Sequence, residues 1–291
     1  MHKEYPDNLT NGVQSADKTS IPQKGMFDRF DRRINYLRIS VTDRCNLRCT
    51  YCMPEEGVKL LNHSEILSFE EITEVVRVAV SAGVSKVRIT GGEPLVRKEI
   101  VTLVKLISSI KGIRDLSMTT NGILLAQYAS ELKEAGLQRV NVSLDTMDPS
   151  EFKRITRGGD LQKVIDGIDA AIAAGLHPLK INCVIKTPED NEHAKAVKEF
   201  GESRNIQVRL IRQMDLHAGH FSVVEGGSGG DCSHCNRLRL TASGKIKPCL
   251  FNDSEYDVRK LGASEAIRLA VLEKPECGSY NISGEFYNIG G

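Results

Sequence analysis

The chain has 291 residues, 40% of them hydrophobic, and its 39 basic and 38 acidic side chains leave a formal charge of +1. That length buries a substantial core and carries one large domain with a small appendage. The balanced charge gives no polybasic surface for nucleic acid. No run of about 20 apolar residues predicts a membrane span, and the N-terminus lacks the apolar core of a secretory leader.

Residues 1–25 are polar and without hydrophobic period, and read as a disordered tail. From 26 to 214, short β-branched runs alternate with helical patterns. The predicted strands are YLRISV, KVRIT, LSMTT, RVNVSL, LKINCVI and QVRLI; the predicted helices cover 70–82, 98–110, 124–135, 161–174 and 192–203. Gly83, Gly136 and Gly175 follow three of these helices, where a left-handed C-cap favours a residue without Cβ. Such alternation predicts a parallel sheet with helical crossovers. Periodicity alone does not separate a partial barrel from a full one or from a doubly wound sheet. Residues 215–291 form a C-terminal region that begins Gly-rich, with GGSGG reading as a turn or linker.

Chemistry concentrates in the cysteines, eight in all, which favour metal ligation in a reducing, cytoplasmic setting over disulfides. Cys45, Cys49 and Cys52 form a C-x3-C-x2-C triplet. Three soft thiolates can hold three corners of a [4Fe-4S] cluster and leave one iron open. Zinc would need a fourth ligand that the local sequence does not offer before His63, and three such cysteines make a poor disulfide framework. A second group, Cys232-x2-Cys235-x13-Cys249, suits zinc as well as iron–sulfur, with His234 inside it. Cys183 reads as a buried apolar residue. Cys277 is ambiguous and is a candidate fourth ligand for the second group. His217 and His220 read as loop surface. Arg38 and Arg88 stand in otherwise apolar strands, where a charge requires a partner.

The wider string LRISVTDRCNLRCTYCMP, with RITGGEPLVR, MTTNG, VNVSLD, KINCVI, CSHCNRLRLTASGKIKPCLF and a terminal Gly290–Gly291, resembles the GTP 3',8-cyclase (MoaA) family of radical S-adenosylmethionine (SAM) enzymes in molybdenum-cofactor biosynthesis. The resemblance implies an α/β fold, a partial (βα)6 TIM-like radical SAM barrel with a small C-terminal iron–sulfur domain. It implies two [4Fe-4S] clusters, on Cys45, Cys49 and Cys52 and on Cys232, Cys235 and Cys249. SAM would meet Tyr51, Gly92, Ser143 and Met214. GTP would meet Arg38, Arg88, Thr119, Lys180, Arg237 and Arg239, and the Gly290–Gly291 tail would enter the site. The activity implied is conversion of GTP to 3',8-cyclo-7,8-dihydro-GTP through a radical generated from SAM, with no general acid or base assigned. GTP and an external reductant are the expected partners, a homodimer is compatible, and neither nucleic acid nor membrane is expected. The segment 215–231 is shorter than the family's usual insertion. That departure keeps open a two-cluster enzyme acting on a peptide or another nucleotide, and beyond enzymes an electron-transfer or zinc-stabilised interaction protein.

Overall fold

The computed structural model describes residues 25–187, 190–214, 222–227 and 229–278. A short antiparallel pair comes first, β1 (Met26–Phe27) with β2 (Arg33–Ile34). Six parallel strands follow: β3 (Tyr36–Ser40), β4 (Lys86–Thr90), β5 (Asp115–Thr120), β6 (Arg139–Ser143), β7 (Lys180–Ile185) and β8 (Gln207–Arg212). They pair strictly in chain order. Helices α1 (Phe69–Ser81), α2 (Ile100–Ser108), α3 (Leu125–Glu134), α4 (Pro149–Thr156), α5 (Leu161–Ala173) and α6 (Asp190–Ser203) lie in the crossovers.

That order decides between the architectures left open by periodicity. Parallel crossovers are right-handed, and six strands added in one direction put every helix on the same face. A doubly wound sheet reverses direction once; this one does not. The helix-covered face is correspondingly apolar, with Leu37 and Ile39 of β3, Val87 and Ile89 of β4, Val140 and Val142 of β6 and Ile181 of β7 all buried. Cys183 joins them, as expected of a small apolar side chain. The opposite face, lined by the alternate residues, is the inside of an open barrel.

The three glycines act as the helix ends require. Gly83, Gly136 and Gly175 have φ of +115°, +98° and +73°. At each, the glycine N–H and the next residue's N–H donate back into the last turn, for example Gly136 to the Lys133 carbonyl and Leu137 to Leu132. This Schellman arrangement drops Val84, Leu137 and Leu176 into the core just before the next strand.

The C-terminal region continues the same sheet. Strand β9 (Arg237–Leu240) pairs in parallel with β3 on its free edge, and β10 (Lys245–Lys247) and β11 (Tyr256–Asp257) add antiparallel to it. Helices α7 (Val258–Leu261) and α8 (Ala263–Leu272) follow, and α8 packs on α1. On the other edge, Glu225 bridges Leu210 of β8 through two backbone hydrogen bonds of 3.1 and 3.2 Å, so part of the short linker covers that edge. Among the described residues no helix is long and apolar enough to cross a membrane. The N-terminal tail, His217 and His220 lie outside the described residues.

Gly136→Ala is expected to destabilise the fold by about 1–2 kcal/mol, because an L side chain is strained at positive φ. Its Cβ would also come within 2.6 Å of the Ser108 Cβ. The urea midpoint should fall with the m-value unchanged; an unaltered midpoint would refute the capping account.

Candidate active site

The first cysteine triplet lies on the loop after β3 and is held from several sides. The loop's carbonyls at Thr42 and Arg44 accept the backbone N–H groups of Gly92 (2.7 Å) and Glu93 (2.8 Å) from the loop after β4. A Cβ on Gly92 would meet the Arg44 carbonyl oxygen at 2.3 Å, so the glycine is required by the cysteine loop itself. Arg97, farther along the β4 loop, donates to the Val41 and Leu67 carbonyls. From α4, the Ile155 carbonyl accepts the Thr50 N–H of the loop (2.9 Å), and Arg157 at the helix end donates to the Arg48 and Met53 carbonyls (3.1 and 2.9 Å).

Two carboxylates, Glu93 buried and Asp145 half-buried, join the strand ends beneath this loop. Glu93 accepts from Leu95 N–H (3.0 Å), Thr120 hydroxyl (2.8 Å) and Asn121 N–H (2.6 Å). Burial pushes its pKa up to about 7, against the opposing pull of those three donors. Asp145 accepts from Tyr51 hydroxyl and Val184 N–H, both at 2.8 Å, and burial raises it to about 6. Asn121 closes the ring, donating to Asn46 at 2.8 Å and facing the Cys45 sulfur at 3.8 Å. Ser143 ends β6 and Met214 follows β8 at this same rim.

Burial raises all three thiols, Cys45 to about 11 and Cys49 to about 12, and Cys52 adds to the effect on Cys49. Among the described residues no three His, Cys, Asp or Glu side chains are drawn close enough to clasp an ion as they stand. The fit to an iron–sulfur cluster comes from the donor set, three soft sulfurs on one clasped loop that sense one another's charge.

The second cysteine group occupies the opposite end of the strands. Because β9 runs parallel to β3, with Arg237 beside Tyr36, Cys235 lies near the start of β3 while Cys45 lies beyond its end. Cys249 follows β10, which runs back to the same end. Five residues of β3 separate the two ends, roughly 15 Å at about 3.3 Å per residue. Lys274 holds Cys235 below its ordinary pKa although burial alone would raise it, and Arg237 assists. His234 is exposed and bonded to Asp231 at 2.7 Å, turned to a surface partner.

Between the two groups the inner face of the sheet is cationic. Arg38 stands directly opposite Arg88 on one side and Arg239 on the other, and Arg239 opposite Lys247. All four are buried. Burial lowers Arg38 well below its usual pKa, and Arg239 adds to this; Arg239 itself falls to about 10 by burial and then Arg237. Arg88 donates to Ser117 at 3.2 Å and lies over the Tyr36 ring, which Arg237 also approaches. Asp115, a carboxylate on this face, is already taken by Arg139 through bonds of 2.8 and 2.6 Å. Among the described residues the Nε of Arg38, the Nε of Arg209, the Thr119 hydroxyl and the Asn141 amide nitrogen are buried without a hydrogen-bond partner. Unmet donors beside crowded cations suit an anionic, polar ligand.

The polar residues of the site are not confined to the C-terminal ends of the strands. The triplet, Glu93, Asn121, Asp145 and Met214 lie there. Lys180 and Arg237 instead begin their strands, and Lys180 donates to Gln207 at 2.6 Å. The polar inner face extends along the barrel axis from one cysteine group to the other. Sequence reasoning missed Arg209, Asn141 and Asn182 on this face, where Asn182 stands between Ser143 and Arg209. An Arg alternating with aliphatic residues in QVRLIR was the available signal. Gly290 and Gly291 lie outside the described residues.

Profiles for the Radical SAM superfamily and for Molybdenum Cofactor Synthesis C match residues 39–201 and 185–274. The GTP 3',8-cyclase of Alkaliphilus oremlandii is 40% identical over 299 residues, covering 86% of this chain and 93% of that protein. That of Thermodesulfovibrio yellowstonii is 41% identical, covering 85% and 92%. The chain belongs to the GTP 3',8-cyclase family. Solved structures share its fold at low identity. Streptococcus suis SuiB bound to S-adenosylmethionine aligns with a TM-score of 0.57 at 14% identity, covering 84% of this chain and 66% of that one. The enzyme anSMEcpe with bound AdoMet and a peptide gives 0.56 at 17%, covering 83% and 81%. The coverage against the Alkaliphilus cyclase also shows that this chain lacks part of that protein's length. The alignment's 299 positions use only 86% of the 291 residues, about 250, leaving some 49 positions of the relative without a counterpart.

Gly92→Ala should unseat the cysteine loop, at a cost of about 1–3 kcal/mol for overpacking against backbone. Iron bound per chain after anaerobic reconstitution and the melting temperature should both fall; normal values for both would refute the clasp. Glu93 supplies a second test. Its folded pKa lies above the ordinary 4.5, so its contribution to stability is complete below about pH 4.5 and is lost as pH rises through 7. Glu93→Gln should remove that component and alter the slope of melting temperature against pH between 5 and 7 in the direction of less loss with rising pH. Parallel profiles would show that the carboxyl does not titrate there.

Proposed function

We infer that this chain is a radical SAM GTP 3',8-cyclase of molybdenum-cofactor biosynthesis, using an iron–sulfur cluster and SAM. The carrying observation is the cationic face in register between two cysteine groups at opposite ends of one set of strands. A substrate with a triphosphate at one end and a base at the other matches that layout. A peptide substrate would leave Arg38, Arg88 and Arg209 without a reason to share one face.

Cys45, Cys49 and Cys52 are the ligands for the SAM-activating cluster, and Cys232, Cys235 and Cys249 for a second [4Fe-4S] cluster. Bound at the first group, cluster and SAM supply one-electron reduction and hydrogen-atom abstraction. Everything else falls to the chain. Tyr51 and Asp145 fix the loop against β6 and β7. Gly92, Ser143 and Met214 line the rim where SAM would lie. Arg38, Arg88, Arg209, Lys180, Arg237 and Arg239 bind the triphosphate, with planar guanidinium forks suited to paired phosphate oxygens. The unsatisfied Thr119 hydroxyl and Asn141 amide offer hydrogen bonds to the sugar or base. An external one-electron reductant completes the turnover, and Gly290–Gly291 is assigned to the same site.

Anaerobic incubation with SAM, reductant and each nucleoside triphosphate tests this reading. GTP alone should give the cyclised nucleotide together with 5'-deoxyadenosine; the same outcome with a peptide and none with GTP would overturn it. Arg38→Ala and Arg209→Ala should each weaken GTP binding by ~1.5–3 kcal/mol, the worth of a charged hydrogen bond, roughly ten- to hundred-fold in Kd. SAM affinity should be unchanged. Equal GTP affinity in both variants, measured by equilibrium dialysis, would remove the triphosphate from this face.

A further inference from the structure

The second cysteine group is laced to the segment after α8 by two buried cations. Lys274, 1% exposed, donates from Nζ to the Arg237 carbonyl at 2.8 Å and to the Pro248 carbonyl at 2.5 Å. These carbonyls lie two residues after Cys235 and one before Cys249. Arg32, from the turn between β1 and β2, holds the third cysteine. Its Nη1 donates to the carbonyls of both Cys232 and Glu276 at 2.7 Å, and its Nη2 to that of Pro275 at 2.6 Å. Asp28 fixes the guanidinium from behind at 2.7 Å, in an ion pair whose side chains are 6% and 0% exposed.

A single nitrogen shared by the Cys232 and Glu276 carbonyls forces the two backbones together. The residue joined to Glu276 is Cys277, so the strap sets its backbone beside that of Cys232, where the two thiols sense each other's charge. The chain therefore brings a fourth thiol to a group that sequence spacing counts as three. Cys277 is itself exposed, which leaves its side chain able to turn toward a metal or away.

We propose that Cys277 is the fourth thiol ligand of the second site, closing its remaining iron position when no substrate is bound and competing with GTP for that position. The proposal deepens the two-cluster reading and rests on it. A thiolate is a strong ligand for that iron, and one delivered on a tethered backbone acts at high effective concentration. No electron transfer is involved: the cysteine gives up its proton to solvent on binding and regains it on release. The buried cations Arg32 and Lys274 would offset part of the charge of four thiolates.

The test uses the full-length chain. Anaerobically reconstituted protein is treated with iodoacetamide, and alkylation at Cys277 is followed by peptide mass mapping. Cys277 should react at least tenfold more slowly in the iron-loaded chain than in the iron-free one, and saturating GTP should restore most of the lost reactivity. In parallel, Cys277→Ala should exchange the open iron with added isotope-labelled iron at least several-fold faster than the parent. Both are measured with Cys45, Cys49 and Cys52 replaced by Ala so that only the second site contributes. Equal alkylation in loaded and iron-free chains, or equal exchange in Cys277→Ala and parent, would overturn the ligand role while leaving the second cluster in place. Absence of iron and sulfide uptake by the triple-alanine chain would overturn the second cluster and the proposal together.

Discussion

Arg38 stands in the middle of β3 with Arg88 opposite it on one side and Arg239 on the other, and all three guanidinium groups have lost most of their water. Two unit charges one strand spacing apart repel by on the order of 3 kcal/mol at an effective dielectric of 20. Like charges directly opposite on neighbouring strands are normally avoided. Here they persist because the surrounding structure leaves them no alternative. The helix-covered face of each strand is filled by aliphatic side chains, so the alternate residues point inward, and register then sets the arginines side by side. The apolar core on the outer face thus holds the inner face in a state that an anion would relieve. Tyr36, lying between Arg88 and Arg237 with its ring toward both, softens the repulsion without neutralising it.

The two cysteine groups differ in their electrostatic surroundings. At the first, burial and the nearby carboxylates Glu93 and Asp145 disfavour thiolates, so the protein contributes scaffolding and leaves the positive charge to the metal. At the second, Lys274 and Arg237 act on Cys235 in the opposite sense. The two groups therefore differ in what acts on their thiols, and the cationic face lies between them.

Much of this was legible in the sequence, and the parts that were not share a cause. The six parallel strands were visible because they are β-branched runs alternating with helical patterns, three of which end in a capping glycine. Arg38 and Arg88 stood out as charges among aliphatic neighbours. Helix α4 was passed over although Asp148 caps it and Pro149 opens it, a local signal that the short span between two longer elements obscured. Arg209 was passed over because its Nε loses its partners only once β8 lies beside β7. The pairing of β9 with β3 joins segments some 200 residues apart, and no local pattern encodes it. Yet that pairing places the second cysteine group at the far end of the barrel and turns a rim site into an axial one. Cys277 shows the same limit: spacing counts it as a leftover, and only Arg32 shows where the backbone carries it.

Arg32 also bears on the order in which the molecule can be completed during synthesis. The partners of the first cysteine loop, from Gly92 to Arg157, have all been translated little more than halfway along the chain. Arg32, by contrast, emerges among the first residues of the fold and finds its last carbonyl partner 244 residues later. Until that segment leaves the ribosome, a buried guanidinium and its Asp28 partner have a cage with one side missing, and the second cysteine group lacks its lacing. Assembly on the nascent chain can therefore be staged, with the partners of the first cysteine loop made well before the segment that laces the second group.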